Sequence, residues 1–125
     1  MKKKTAKVCA ALSVLGLLAS CAPMSPLEAK YADTRRAAEN ASTPADHDSL
    51  ARQYENTAEK LLAKAKEKKQ LLQHYEEKSY LYGRQSLDKQ SHTWALLRKY
   101  EKVAEETIKH ASFHQKMASR LPEGE

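Results

Sequence analysis

The chemistry this sequence could carry rests mainly on five histidines. His110 and His114 stand four apart, a spacing that on a helix turns both imidazoles to one side, where they could share a ligand. His47 falls at the same end of the molecule once the chain is folded as argued below. With carboxylates from a second copy, such a set could hold Zn or Cu. The spacing does not match a di-iron bundle site, because Glu105 and Glu106 precede His110 by five and four residues rather than three. His110 and His114 are the metal candidates, but a solvated or interface pair is the ordinary meaning of two histidines so placed, and no metal is assigned. His74 and His92 should lie near one another at the turn end, as a solvent-exposed pair.

Other constellations are few. Lys68 and Glu101 fall opposite each other in the helix pairing described next and should form a structural ion pair, each needing the other because an unpaired charge there is costly. Tyr75, Tyr80, Tyr82, Trp94 and Tyr100 enrich one half of the chain in aromatic rings, as core, interface or a binding tip. No Ser/His/Asp or Cys/His arrangement is present, and three glycines are too few to build a phosphate loop. The reading is therefore of a protein that is not an enzyme and uses no cofactor.

These residues sit on two long segments, 44–82 and 85–121, that should form an all-α, antiparallel, coiled-coil-like hairpin folded about Gly83. The first has no Gly and no internal Pro and is mostly Ala, Leu, Glu, Lys and Gln, which lose little rotamer freedom in a helix. Its start is marked by Thr43, Pro44 and Asp46, the pattern of a capping box with Pro at the first helical position. Apolar or small residues recur at alternating spacings of three and four, from His47 and Ala51 through Leu61 and Leu72 to Tyr82. The second segment offers one column of Gln90, Leu97, Ala104, Ala111 and Ala118, and another of Leu87, Trp94, Glu101, Ile108 and Gln115. Folding about the turn sets Ala51 on Ala118, Ala58 on Ala111, Ala65 on Ala104 and Leu72 on Leu97. Small then opposes small, and the backbones can approach to about 8 Å.

Ahead of the hairpin, Lys2, Lys3, Lys4 and Lys7 precede an apolar run over residues 8–18, followed by Leu18-Ala19-Ser20-Cys21. The run is short for a membrane span. This pattern resembles the lipobox of bacterial lipoproteins. The resemblance implies cleavage between Ser20 and Cys21, and a diacylglyceryl thioether and N-acyl group on Cys21, palmitate among the acyl chains. With Ala22 rather than Asp next, it implies residence on the periplasmic face of the outer membrane. Several acyl chains give the stable anchoring that one chain does not. Loss of residues 1–20 removes four Lys and no acid, so the formal charge falls from +6 to +2. What remains is mixed in sign, with no basic stripe suited to nucleic acid. Cys9 would leave with the leader and Cys21 be blocked, so no disulfide is available.

The domain reading is then a removed signal over residues 1–20, a lipid-anchored tether with a short helix over 21–43, the hairpin over 44–121 and a disordered tail over 122–125. Ser25-Pro26-Leu27-Glu28 repeats the capping-box pattern and predicts a short helix over 26–40. A second apolar flank runs along the hairpin through Leu50, Tyr54, Leu71 and Tyr75 on one helix and Leu96, Tyr100, Val103, Met117 and Leu121 on the other. A patch of this extent calls for a cover: a second copy, giving a four-helix bundle, or the short helix, or another helical envelope protein. The expected function is a lipid-anchored structural or protein-interaction module; the alternative is a periplasmic metal-binding or stress bundle using His110 and His114.

Overall fold

The structure, a computed structural model, describes residues 25–122. The leader, the Ser20–Cys21 junction and Glu123, Gly124 and Glu125 lie outside the described residues. The described chain is helical throughout, in the order α1 (Pro26–Glu39), α2 (Pro44–Glu77), α3 (Ser79–Tyr82) and α4 (Gln85–Arg120). At 1.5 Å per residue, α2 and α4 are each about 50 Å long.

Both expected capping boxes form. The Ser25 hydroxyl accepts from the Glu28 amide at 3.2 Å while Glu28 accepts from the Ser25 amide at 3.0 Å. Thr43 and Asp46 make the same reciprocal pair at 3.1 and 3.0 Å. Each satisfies two amides that a helix start would otherwise leave unpaired.

α2 and α4 pack against each other as the two arms of the hairpin. The expected seam of α2 is the observed one: His47, Ala51, Tyr54, Ala58, Leu61 and Ala65 are buried, and Lys68, Leu72, Tyr75 and Tyr82 are half-buried. On α4 the alanine column is also inward, with Ala104 and Ala111 buried.

The other α4 column is displaced. Leu87, Trp94 and Ile108 are 75%, 56% and 47% exposed, and the seam instead takes Ser86, Thr93, Thr107 and His114, all buried. The alanines explain the choice. They set a close approach that a Thr fits and a Trp or Ile would wedge apart. The cost of burying a hydroxyl is offset inside the helix, where Thr107 donates to the Val103 carbonyl at 2.6 Å and Thr57 to the Gln53 carbonyl at 2.8 Å.

The register differs as well. His47 meets His114, and the Tyr75 carbonyl accepts from Gln90 at 3.3 Å, where alanine-on-alanine pairing would set them against Pro122 and Trp94. The partner is shifted by eight residues at the open end and by four near the turn, about two turns and one turn of helix. Lys68 and Glu101 are consequently not an ion pair: Lys68 bonds Glu67 at 3.2 Å and Glu101 bonds Arg98 at 3.2 Å.

α2 also stops sooner than expected. Lys78 leaves helical geometry with φ −108° and ψ 24°, and α3 makes one separate turn before Gly83. Gly83 has φ 53° and ψ −130°. An added Cβ there would meet nothing within 4 Å, so the need for glycine is a backbone need.

α1 lies on α2 and supplies part of the cover the second flank requires. Tyr31, Ala38 and Ala41 pack on the buried cluster of Leu50, Tyr54 and Ala111. Tyr31 stands edge-on to Tyr54 with ring centroids 6.2 Å apart, a favoured aromatic geometry. At the start of α1, Glu28 reaches Lys99 of α4 at 2.7 Å. Lys99 and the Ser25 amide hold the Glu28 carboxyl down at about 2.

Candidate functional site: a buried histidine pair

The site is at the open end of the hairpin, where the first turns of α2 run beside the last turns of α4. His47 is the fourth residue of α2, fixed by the Thr43 cap. His114 sits two turns from the end of α4. Their Nδ1 atoms are 2.8 Å apart and both rings are buried. The imidazoles lie in a stack, with centroids at 5.1 Å and planes 24° apart.

Aromatic side chains surround them. The Tyr54 ring lies parallel to His114 at 5.5 Å and to His110 at 5.2 Å. Phe113 stands edge-on to His114 at 5.2 Å.

A distance of 2.8 Å between two imidazole nitrogens admits one proton between them. In the neutral pair one ring donates through Nδ1 and the other accepts, so the rings hold opposite tautomers at that atom. A single added proton leaves this bond intact but places charge in a poorly hydrated site. Two added protons would set N–H against N–H. His114 is accordingly held below its ordinary value of 6.5, first by burial, then by His47 and His110.

The sequence-predicted residues are partly brought together. His114 is in the site, but its partner is His47; His110 is exposed and stacks on Tyr54 rather than converging with His114 on one point. Among the described residues, no group of three or more His, Cys, Asp and Glu side chains is placed to hold a metal ion. His74, expected beside His92, has its Nε2 2.9 Å from the Tyr82 hydroxyl. Tyr75 and Tyr82 meet edge-on at 5.1 Å, with the Lys89 ammonium 5.6 and 5.5 Å from their centroids. The role of Tyr54 as the plate between two histidines was not legible from spacing alone; its position seven residues after His47 on the seam is the one available signal.

Among the described residues, no helix is long and apolar enough to cross a membrane. Comparison of the chain with protein-family models, with curated proteins and with solved structures finds no match.

Proposed function

We propose that this is a lipid-anchored protein of the bacterial cell envelope, held by Cys21 to the periplasmic face of the outer membrane, that acts as a structural or protein-interaction module rather than an enzyme. The observation that carries the reading is the join between leader and body. α1 opens at Ser25 with a complete capping box, four residues after the lipobox cysteine, so its first turn satisfies its own amides with residues that cleavage before Cys21 leaves in the chain. Radiolabelled palmitate fed to cells tests it. The wild-type chain takes the label and a Cys21→Ala chain does not; label retained by the variant ends the proposal.

The interaction surface is the flank away from α1. Leu87, Trp94 and Ile108 form a column in steps of seven and fourteen residues, and all are exposed. Gln115, next in the same column, bonds Glu55 of α2. Leu62, one heptad from Glu55, is 48% exposed, which places it on the same flank as Ile108, one heptad from Gln115. A second copy meeting this strip would complete a four-helix bundle. Light scattering of residues 22–125 reads it directly. A dimer that Ile108→Glu converts to monomer supports the contact, and a monomeric wild type removes it.

A metal-binding role has one observation in its favour, the pair of buried ring nitrogens of His47 and His114. Titration calorimetry with Zn²⁺ and Cu²⁺ discriminates: micromolar binding abolished by His47→Phe supports it, and no heat at micromolar metal excludes it.

A further inference from the structure

The flank that α1 covers continues past the start of α1. Leu71 and Tyr75 follow Leu50 and Tyr54 on α2 at three heptads, so they lie on the same stripe. α1 covers the first pair. Its own first turn reaches only to the middle of the rod, where Leu27 lies beside Lys60, Ala63, Lys64 and Glu67. Beyond it, no helix among the described residues covers Leu71 and Tyr75, which are half-buried. Basic groups border this half: Lys64 at its edge beside Leu27, Lys78 toward the turn, and Lys89 set over the Tyr75 and Tyr82 rings. The acid beside them, Glu67, is already bonded by Lys64 and Lys68 at 3.1 and 3.2 Å.

The N-terminus of α1 points along this uncovered half, toward the turn. Ser25 is four residue steps from Cys21, a distance of about 14 Å at full extension. From Glu67 to the turn end of α2 and α3 is about 22 Å, and from Lys60 back to Pro44 about 24 Å. An anchor at Cys21 therefore reaches past neither end of the rod.

Resting on the anchor reading above, we propose that the rod lies along the bilayer, its axis within roughly 40° of the membrane plane, with the α1-side flank of its turn half against an anionic lipid surface. Leu71, Tyr75 and Tyr82 sit at the level where amphipathic rings are favoured, and Lys64, Lys78 and Lys89 meet the headgroups. Attachment and contact then share one flank, and the Leu62–Ile108 strip faces away, free for a second copy.

The full-length protein, carrying its own anchor, supplies the test. Single cysteines are placed at Lys64→Cys, Lys78→Cys and Lys89→Cys, and on the other flank at Lys69→Cys and Glu101→Cys, one heptad from Leu62 and Ile108. Each is spin-labelled and the protein floated on vesicles of two parts phosphatidylcholine to one part phosphatidylglycerol. Collision with a water-soluble nickel relaxant is read at each position. The first three labels should lose several-fold accessibility relative to the last two. Equal accessibility on both flanks, or protection of Lys69 and Glu101 instead, overturns the orientation. Protection of the first three that grows with the protein-to-lipid ratio also overturns it, because a second copy is then the cover. Failure of every variant to float strikes the anchor itself, and so is distinct from failure of the orientation.

Discussion

At the scale of single residues, the His47–His114 contact makes the sharpest claim. Burial and two neighbouring imidazoles hold His114 below its ordinary 6.5, so the unfolded chain takes up a proton before the folded one does. Stability is therefore full above about 6.5 and falls as the pH drops below it. The melting temperature should decline between pH 7.5 and pH 5, and a His114→Leu chain should show a flatter profile over that range. Glu28 cannot produce that decline. Its carboxyl is depressed to about 2, so its contribution is complete above its ordinary 4.5 and is lost only as the pH falls toward 2. Truncating one histidine strands the other: His47→Ala leaves a buried ring nitrogen without a partner and should cost about 1–3 kcal/mol in urea unfolding at pH 7.5. A loss under 0.5 kcal/mol would mean that the pair contributes nothing to the fold.

At the scale of elements, the turn depends on Gly83. Its φ of 53° with ψ −130° is a region that side chains rarely enter. Gly83→Ala should cost about 1–3 kcal/mol by backbone strain alone, since no neighbouring atom would obstruct the new methyl. Chemical denaturation measures it, and a neutral substitution would show that the turn relaxes to another geometry. Helix starts were legible because Ser25-Pro26-Leu27-Glu28 and Thr43-Pro44-Ala45-Asp46 encode reciprocal bonds within four residues. The inward face of α2 was legible for a similar reason, a long unbroken alternation. The inward face of α4 was legible only in its alanine column. Both Leu87-Trp94-Ile108 and Ser86-Thr93-Thr107 keep heptad spacing, and hydrophobicity favours the first. What decides is the narrow gap set by the alanines, together with hydroxyls that bond their own helix, and neither is visible in a pattern of apolar letters. The offset between the arms, and with it the partners of Lys68, Glu101 and His114, depends on that same three-dimensional fit.

At the scale of the whole molecule, the two flanks of the hairpin differ in cover. One is partly closed by Tyr31 and Ala38 of α1, by Ala41 just after it, and by the Glu28–Lys99 bond. Glu28→Gln should loosen it, raising hydrogen exchange across residues 26–39 while leaving the centre of α4 protected; unchanged exchange in α1 would show that its apolar contacts suffice. The narrow seam behind both flanks leaves no room for growth. Ala104 is fully buried, and Ala104→Leu should destabilise by about 1–3 kcal/mol through overpacking. The other flank keeps Leu62 and Ile108 exposed, the strip on which the proposed association would act. All of this has its proposed cellular meaning only if the body is tethered where the leader says. Intact-mass spectrometry of the chain extracted from membranes tests that most directly. The account predicts a polypeptide beginning at Cys21, heavier than its sequence by a diacylglyceryl group and one further acyl chain. A chain still beginning at Met1, or one cleaved elsewhere with a free thiol at Cys21, would contradict it.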